Sequence, residues 1–249
     1  MTLPSHMQTV RFLGIPVHNV DTREALHILE AFILARKPRQ VVTVNPEFVM
    51  AAQRDAAFRQ VLLGADLSLP DGVGLLLGAR IRGTPLKERV TGVDTVARMA
   101  ALAAARGYRL YFLGAAPGVA EEAAQRLERA NPGLRVAGTY AGSPAPEEED
   151  GIIARITAAA PDVLFVAYGA PRQDLWIARN LERLGVPVAM GVGGAFDFIA
   201  GRAKRAPLWM QRMGLEWLHR LVRQPWRWRR MLALPQFLVA VIAESLWGR

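Results

Sequence analysis

Six short apolar runs, each followed by a stretch of helical pattern, constrain this chain more than any other feature of its sequence. The runs are QVVTV (40–44), ADLSLP (65–70), YRLYFLG (108–114), LRVAGT (134–139), DVLFVAYG (162–169) and VPVAMGVG (186–193). Helical patterns cover 45–62, 92–106, 117–130, 147–160 and 172–184, and a further one starts at DTRE (21–24) and runs to about Lys37. Asn45 fits an N-cap with Pro46 at the first helical position, and DTRE fits a capping-box start. Strand and helix in alternation predict a Rossmann-like α/β fold, a mostly parallel sheet with helices on both faces.

In open sheets of this kind ligands bind beyond the carboxyl ends of the strands. The polar residues just after each run are therefore the candidates for chemistry. They are Thr43 and Asn45, Asp71, the GAAPG loop that begins at Gly114, Gln173 in GAPRQ, and Asp197 in GGAFD. Each also has a plain structural reading. In LSLPDGVGLL, Asp71 is placed to open and cap the next helix, as Asn45 is before Pro46. Thr43 suits a strand by being β-branched. GAAPG suits a strand-to-helix turn, Gln173 sits in a first helical turn where polar residues are ordinary, and Asp197 can simply hold the loop before it. At this level both readings stay open.

Several familiar chemistries find no support. G-x-G-x-x-G is not matched, because Gly72-x-Gly74 is followed by Gly78, one residue too late, and no P-loop pattern occurs. The four histidines form no sequence-local ligand pair, and there is no D-x-D, so neither a metal site nor any other cofactor is expected. A nucleotide diphosphate would then need positive side chains or helix N-termini to neutralise it. The absence of cysteine excludes disulfides and suits a reducing compartment. The N-terminal residues lack a basic segment ahead of an apolar core, so no signal peptide is expected.

Charge divides the chain. Residues 1–201 carry 21 Lys and Arg against 20 Asp and Glu, whereas 202–249 carry 10 against Glu216 and Glu244 alone. Five of the six tryptophans also fall in that last segment. We therefore expect an α/β core over 1–201 and a basic, Trp-rich helical appendage over 202–249. Arg220, Arg223, Arg227 and Arg230, spaced by 3, 4 and 3, would share one face of a continuous helix, but Pro225 interrupts it. Trp226 and Trp228 among those arginines suit a lipid headgroup boundary better than a plain solvated charge run. The run at 231–247 is apolar yet broken by Pro235, Gln236 and Glu244, which reads as interfacial rather than spanning. Without a membrane, such a tail would invite self-association, so a homo-oligomer is possible.

Eight segments in order resemble one known group of proteins: TVNPEFV, LPDGVG, RVTGVD, FLGAAPGVAEEAA, GAPRQDLW, GVGGAFDFIAG, RAPLWMQRMGLEWLHRL and the Pro-Trp-Arg segment. Together, over about residues 10 to 230, they look like the bacterial WecG/TagA/CpsF glycosyltransferases. The resemblance implies inverting, metal-independent transfer of a hexose or an N-acetylhexosamine of the N-acetylmannosamine type. The donor would be a UDP-sugar and the acceptor a polyprenyl-diphosphate-linked saccharide, at the cytoplasmic face of the inner membrane. It puts Asp71 on the catalytic aspartate and Thr43, Asn45, Gln173 and Asp197 on polar pocket positions. Arg220, Arg227 and Arg230 fall on arginines that approach the diphosphates. Asp174 stands where a Glu is usual, Gln224 where a Glu is common, and Ser143 where an aromatic is frequent.

That chemistry is physically coherent. A carboxylate within about 3 Å of an acceptor hydroxyl takes its proton as the oxygen attacks the anomeric carbon. Arginines stabilise the charge that develops on the departing diphosphate. The main rival is nucleic-acid binding by the basic aromatic tail. It is disfavoured because the positive charge is confined to the tail beside apolar runs, and the body carries no RNA-binding signature. A non-catalytic nucleotide-binding scaffold is a third reading, against which the motif around Asp71 argues.

Overall fold

The computed structural model describes residues 7–223, 225 and 228–247. All six expected strands form. They are preceded by an antiparallel hairpin that the alternation did not announce, β1 (Thr9–Phe12) and β2 (Ile15–His18), which turns through Leu13 and Gly14 at φ 48° and 83°. Then follow α1 (Thr22–Ala35), β3 (Gln40–Val44), α2 (Pro46–Ala52), α3 (Ala56–Gly64), β4 (Leu67–Pro70), α4 (Val73–Ile81) and α5 (Gly92–Arg106). The remainder of the body is β5 (Arg109–Gly114), α6 (Val119–Ala130), β6 (Arg135–Tyr140), α7 (Glu149–Ala159), β7 (Val163–Ala167), α8 (Arg172–Leu184), β8 (Val188–Gly191) and α9 (Ala195–Ile199).

The six strands lie in the order β4-β3-β8-β7-β5-β6, every pair parallel. Alternate side chains of each strand serve opposite faces. Val41, Leu67, Leu110, Phe112 and Phe165 pack with α1, α5, α6 and α9, while Val42, Val44, Leu113, Leu164 and Val166 point to the face covered by α2, α3, α7 and α8. Helices therefore cover both faces, as the sequence pattern predicts.

Two local expectations need correction. The helix read over 45–62 is two, because the chain turns at Gln53 and Arg54 and Asp55 caps the second half, its side chain accepting from the Phe48-to-Phe58 stretch's last amide, Phe58 N–H, at 3.0 Å. Asp71 does not cap α4 either. The cap position is Gly72, at φ 146°, a conformation that suits a residue without Cβ, and no side chain caps the helix there. The capping box at Asp21 and Glu24 forms as expected.

Beyond residue 201 the chain forms α10 (Leu208–Arg212), α11 (Glu216–Arg223), α12 (Trp228–Met231) and α13 (Ala233–Trp247). The last of these is part of the core. Phe237 and Val241 are buried with Phe12, Phe48 and Leu75, and Phe237 meets the ring of Phe12 at 5.4 Å between centroids. Gly74 and Gly78 on α4 make room for it, since a Cβ at either would meet Leu234 or Phe237. Arg82 pairs with Glu244, which also accepts the Leu13 N–H at 3.3 Å. The outward side stays apolar, with Val239, Ile242 and Leu246 exposed. Among the described residues no helix is long and apolar enough to cross a membrane.

Candidate active site

A cleft of about 550 Å³ opens beyond the carboxyl ends of β3, β4 and β8. Its floor comes from the strand ends: Asn45 and Glu47 after β3, Asp71 and Val73 after β4, Val192 and Gly194 after β8. The loop from Arg89 to Val93 forms one wall. The C-terminal segment forms the roof, through Lys204, Arg205, Trp217, His219, Arg223 and Arg230.

Asp71 lies on this floor, half-buried, at the end of an edge strand locked to its neighbour by its own N–H, which donates to Val44 O at 2.7 Å. Its Oδ2 takes a long contact, 3.5 Å, from the N–H of Gly92, the first residue of α5. Burial pushes its carboxyl up to about 6; the charge of Arg89 and the Gly92 N–H pull the other way, while Glu216 and Asp94 add to the rise. Such a group is ionised at neutral pH yet basic enough to take a proton.

A chain of ion pairs surrounds it. Arg205 grips Asp94 with both nitrogens, at 2.5 and 2.9 Å, and donates through Nε to Glu216 Oε1 at 2.9 Å. The other oxygen of Glu216 pairs with Arg89 at 3.0 Å. Burial raises Asp94, but its bonds from Arg205 and Thr91 and the nearby cations more than offset this and hold it below the usual carboxylate range. The same pairs raise Arg205. Thus the loop before α5, the helix itself and the first turn of α11 are tied together beside Asp71. On the far rim Arg230 of α12 pairs with Glu47 of α2.

The structure brings Asp71, Asn45, Arg223 and Arg230 to one cleft. Asn45 also caps α2, accepting from Phe48 N–H at 3.0 Å, so both readings of it hold. Arg227 and the side chain of Arg220 lie outside the described residues. Thr43 and Gln173 are buried beneath the floor and do not line it. The Thr43 hydroxyl donates to Gly191 O at 3.3 Å, and Gln173 Oε1 accepts from Gly169 N–H at 3.1 Å and Gly193 N–H at 3.0 Å. Gly114 is a packing glycine: at φ 98° a Cβ would stand 2.8 Å from the carbonyl carbon of Ala167. Asp197 sits on α9 beside the cleft-lining Phe198, and its backbone oxygen accepts from Ala203 N–H at 3.0 Å.

Sequence reasoning missed Arg89, Arg205 and Glu216, though each stands in a quoted segment or at the body–tail junction. Their partners are 11 to 127 positions away, as Arg205–Glu216 and Arg89–Glu216 illustrate, so no local spacing marks them. Among the described residues no three His, Asp or Glu side chains converge as metal ligands.

A family profile described as "Glycosyl transferase WecG/TagA/CpsF family" matches residues 10–249. Two relatives bear the name N-acetylglucosaminyldiphosphoundecaprenol N-acetyl-beta-D-mannosaminyltransferase. One, from Bacillus spizizenii, is 36% identical over 236 residues, covering 92% of this chain and 91% of the relative. The other, from Bacillus subtilis, is 33% identical over 240 residues, covering 96% and 93%.

Proposed function

Because the chain belongs to the WecG/TagA/CpsF family of glycosyltransferases, we propose that it moves an N-acetylmannosamine-type sugar, or another hexose, from a UDP-sugar to a polyprenyl-diphosphate-linked saccharide, with inversion and without a metal. The observation that carries this reading is the half-buried, proton-avid Asp71 carboxylate on the floor of a cleft roofed by cations.

In the proposed reaction the acceptor hydroxyl attacks the anomeric carbon from the face opposite the diphosphate. Its proton passes to Asp71 as the new glycosidic bond forms. The bond from the anomeric carbon to the UDP oxygen breaks, and its electron pair leaves with the diphosphate. Lys204, Arg223 and Arg230 on the roof, with Arg220 and Arg227 from the same segment, stabilise that charge. Asn45 orients substrate from the floor. Thr43 and Gln173 act one layer down, by fixing the loops after β7 and β8.

The same reading places the enzyme on the cytoplasmic face of the inner membrane. Exposed Trp209, Met213 and Val222 in the basic C-terminal segment and exposed Val239 and Leu246 on α13 offer apolar side chains to a membrane surface. Full-length protein should sediment with anionic liposomes, and Val222→Glu with Val239→Glu should release it. Retention of the double variant would remove the docking surface from the account. For the reaction, a panel of UDP- and GDP-sugars offered with a synthetic lipid-diphosphate saccharide tests donor and acceptor together. Transfer only from GDP-sugars, or only to acceptors lacking the diphosphate, would refute the assignment.

A further inference from the structure

The ion pairs around Asp71 have a property that the transfer reaction itself does not require. Arg89 is the cation with the largest pull on the Asp71 carboxylate, and it sits on the wall of the same cleft. Yet its ion-pair partner is Glu216, at 3.0 Å, contributed by the first turn of α11 on the roof. The second oxygen of Glu216 is held by Arg205, and Arg205 is anchored in turn to Asp94 on α5. Arg89, Glu216 and Arg205 are all largely shielded from solvent, at 20%, 22% and 23% side-chain exposure, so their charges are only weakly screened.

We propose that Glu216 is a positioning residue for the transfer reaction: by engaging Arg89 in an ion pair of its own, it keeps that cation from pairing with Asp71 and so keeps the Asp71 carboxylate basic. This rests on the reading of Asp71 as general base. The consequence is that base strength depends on the roof being seated. With α11 docked, Glu216 occupies Arg89 and adds its own negative charge near Asp71. With α11 lifted, the carboxylates left in the field of Arg89 are Asp71 and Asp94; Asp94 is held by Arg205 at 2.5 and 2.9 Å, so the pairing falls on Asp71, and an Asp–Arg pair lowers the carboxylate's proton affinity by one or more pH units. The other titratable and charged groups lining this cleft are Glu47 on α2 and Arg202, Lys204, Arg205, His219, Arg223 and Arg230 from the C-terminal segment, with Asp94 of α5 behind the wall as the partner of Arg205. Of these Asp94 raises the Asp71 carboxyl, as Glu216 does.

The pH dependence of kcat/KM, measured on the full chain with UDP-N-acetylmannosamine and a synthetic lipid-diphospho-N-acetylglucosamine, tests the idea. Glu216→Gln should move the acid limb to lower pH by about one unit and lower the plateau rate, because a weaker base serves the transfer. Arg89→Gln should move the limb the other way, and the double variant should fall between the two. Mere loosening of the roof would lower the plateau of both single variants without opposite displacements of the limb. That result, or an unmoved limb in Glu216→Gln, overturns the proposal. If Glu216→Gln does not fold, Glu216→Asp, which retracts the charge by one methylene, should give a smaller shift of the same sign. Asp71→Asn separates the two claims. Near-normal transfer by that variant overturns the general-base reading, whereas an inactive Asp71→Asn beside an unmoved limb in Glu216→Gln overturns only the role of Glu216.

Discussion

Two aspartates follow strands of the same sheet and share one electrostatic signature, yet they stand in opposite surroundings. Asp71, after β4, opens on the cleft; Asp174, in the first turn of α8 after β7, is fully buried. Burial raises both, Asp71 to about 6 and Asp174 to about 7, with the adjacent Gln173 amide pulling the latter only partly back. Neither carboxylate oxygen of Asp174 has a hydrogen-bond partner, and Oδ1 stands 2.5 Å from where a Cβ on Gly191 would lie. Around Asp71, by contrast, Arg89, Asp94 and Glu216 compete. A raised proton affinity therefore does not identify a catalytic acid or base. What separates the two is access. The cleft beyond β3, β4 and β8 takes in Asp71, whereas Asp174, on α8 after β7, has no exposed surface and lines no part of it.

The largest expected effect breaks this pair apart. Asp71→Asn should lower transfer by 10²- to 10⁴-fold, the usual contribution of a general base, while leaving thermal unfolding near that of the parent. Asp174→Asn should keep transfer within a few-fold. Comparable losses in both variants, measured as kcat/KM on folded protein, would mean that the sealed carboxyl reaches the chemistry after all.

Next in size is Gln173, the neighbour of the sealed aspartate. Its Oε1 satisfies two half-buried N–H groups, of Gly169 and Gly193, and so joins the loops after β7 and β8. Gln173→Ala leaves both donors unpaired and should cost about 2–4 kcal/mol of stability by denaturant unfolding. A cost under about 1 kcal/mol, with transfer lost, would move Gln173 from loop clamp to direct substrate contact.

Asp174 gives a smaller, pH-dependent effect whose sign follows from linkage. Its folded proton affinity lies above the unfolded one, so its neutral form carries no penalty at low pH, and stability is lost as pH rises through about 7. Between about pH 5.5 and 8.5 the penalty grows by about 2 kcal/mol, taking about 1.4 kcal/mol per pH unit up to the folded value. Asp174→Asn, which cannot ionise, should therefore gain on the parent by about that amount over the interval. A constant offset between the two stability curves would show that Asp174 is ionised or neutral throughout.

How much of this was legible beforehand follows from the range of each interaction. The sheet was readable because each strand announces itself locally, through β-branched runs and a cap such as Asn45 at the next helix. The hairpin at Thr9–His18 was missed because its strands alternate buried and more exposed residues, unlike the continuous apolar runs of the central sheet. Asp71 was legible as an address, but its capping role stayed open, since Asp-Gly before an apolar run fits both and only the fold puts Gly72 at the cap and turns the Asp71 carboxylate toward Gly92 of α5. The burial of Gln173 beneath the floor was not legible, because it depends on Gly193 twenty residues on. Nor was the docking of α13, where an apolar run written as interfacial divides into a buried side at Phe237 and Val241 and an exposed one at Val239 and Leu246.

The smallest effect concerns Thr43, on the strand between the two halves of the comparison. Residue for residue, Thr43 is paired with Leu69 of β4, two positions before Asp71, and its hydroxyl reaches across to Gly191 O of β8. Its methyl lies under Gly92, 3.8 Å from where a Cβ would stand, and Gly92 is the residue whose N–H meets Asp71. Thr43→Val keeps that methyl and removes one long hydrogen bond, so the stability cost should be about 1 kcal/mol or less. Thr43→Ser keeps the bond and removes the methyl. If Thr43 works by supporting the Gly92 wall, Ser should harm transfer more than Val; if its hydroxyl meets substrate, Val should harm it more. The order of the two kcat/KM values decides whether this residue belongs with the sealed layer of Gln173 and Asp174 or with the open one of Asp71.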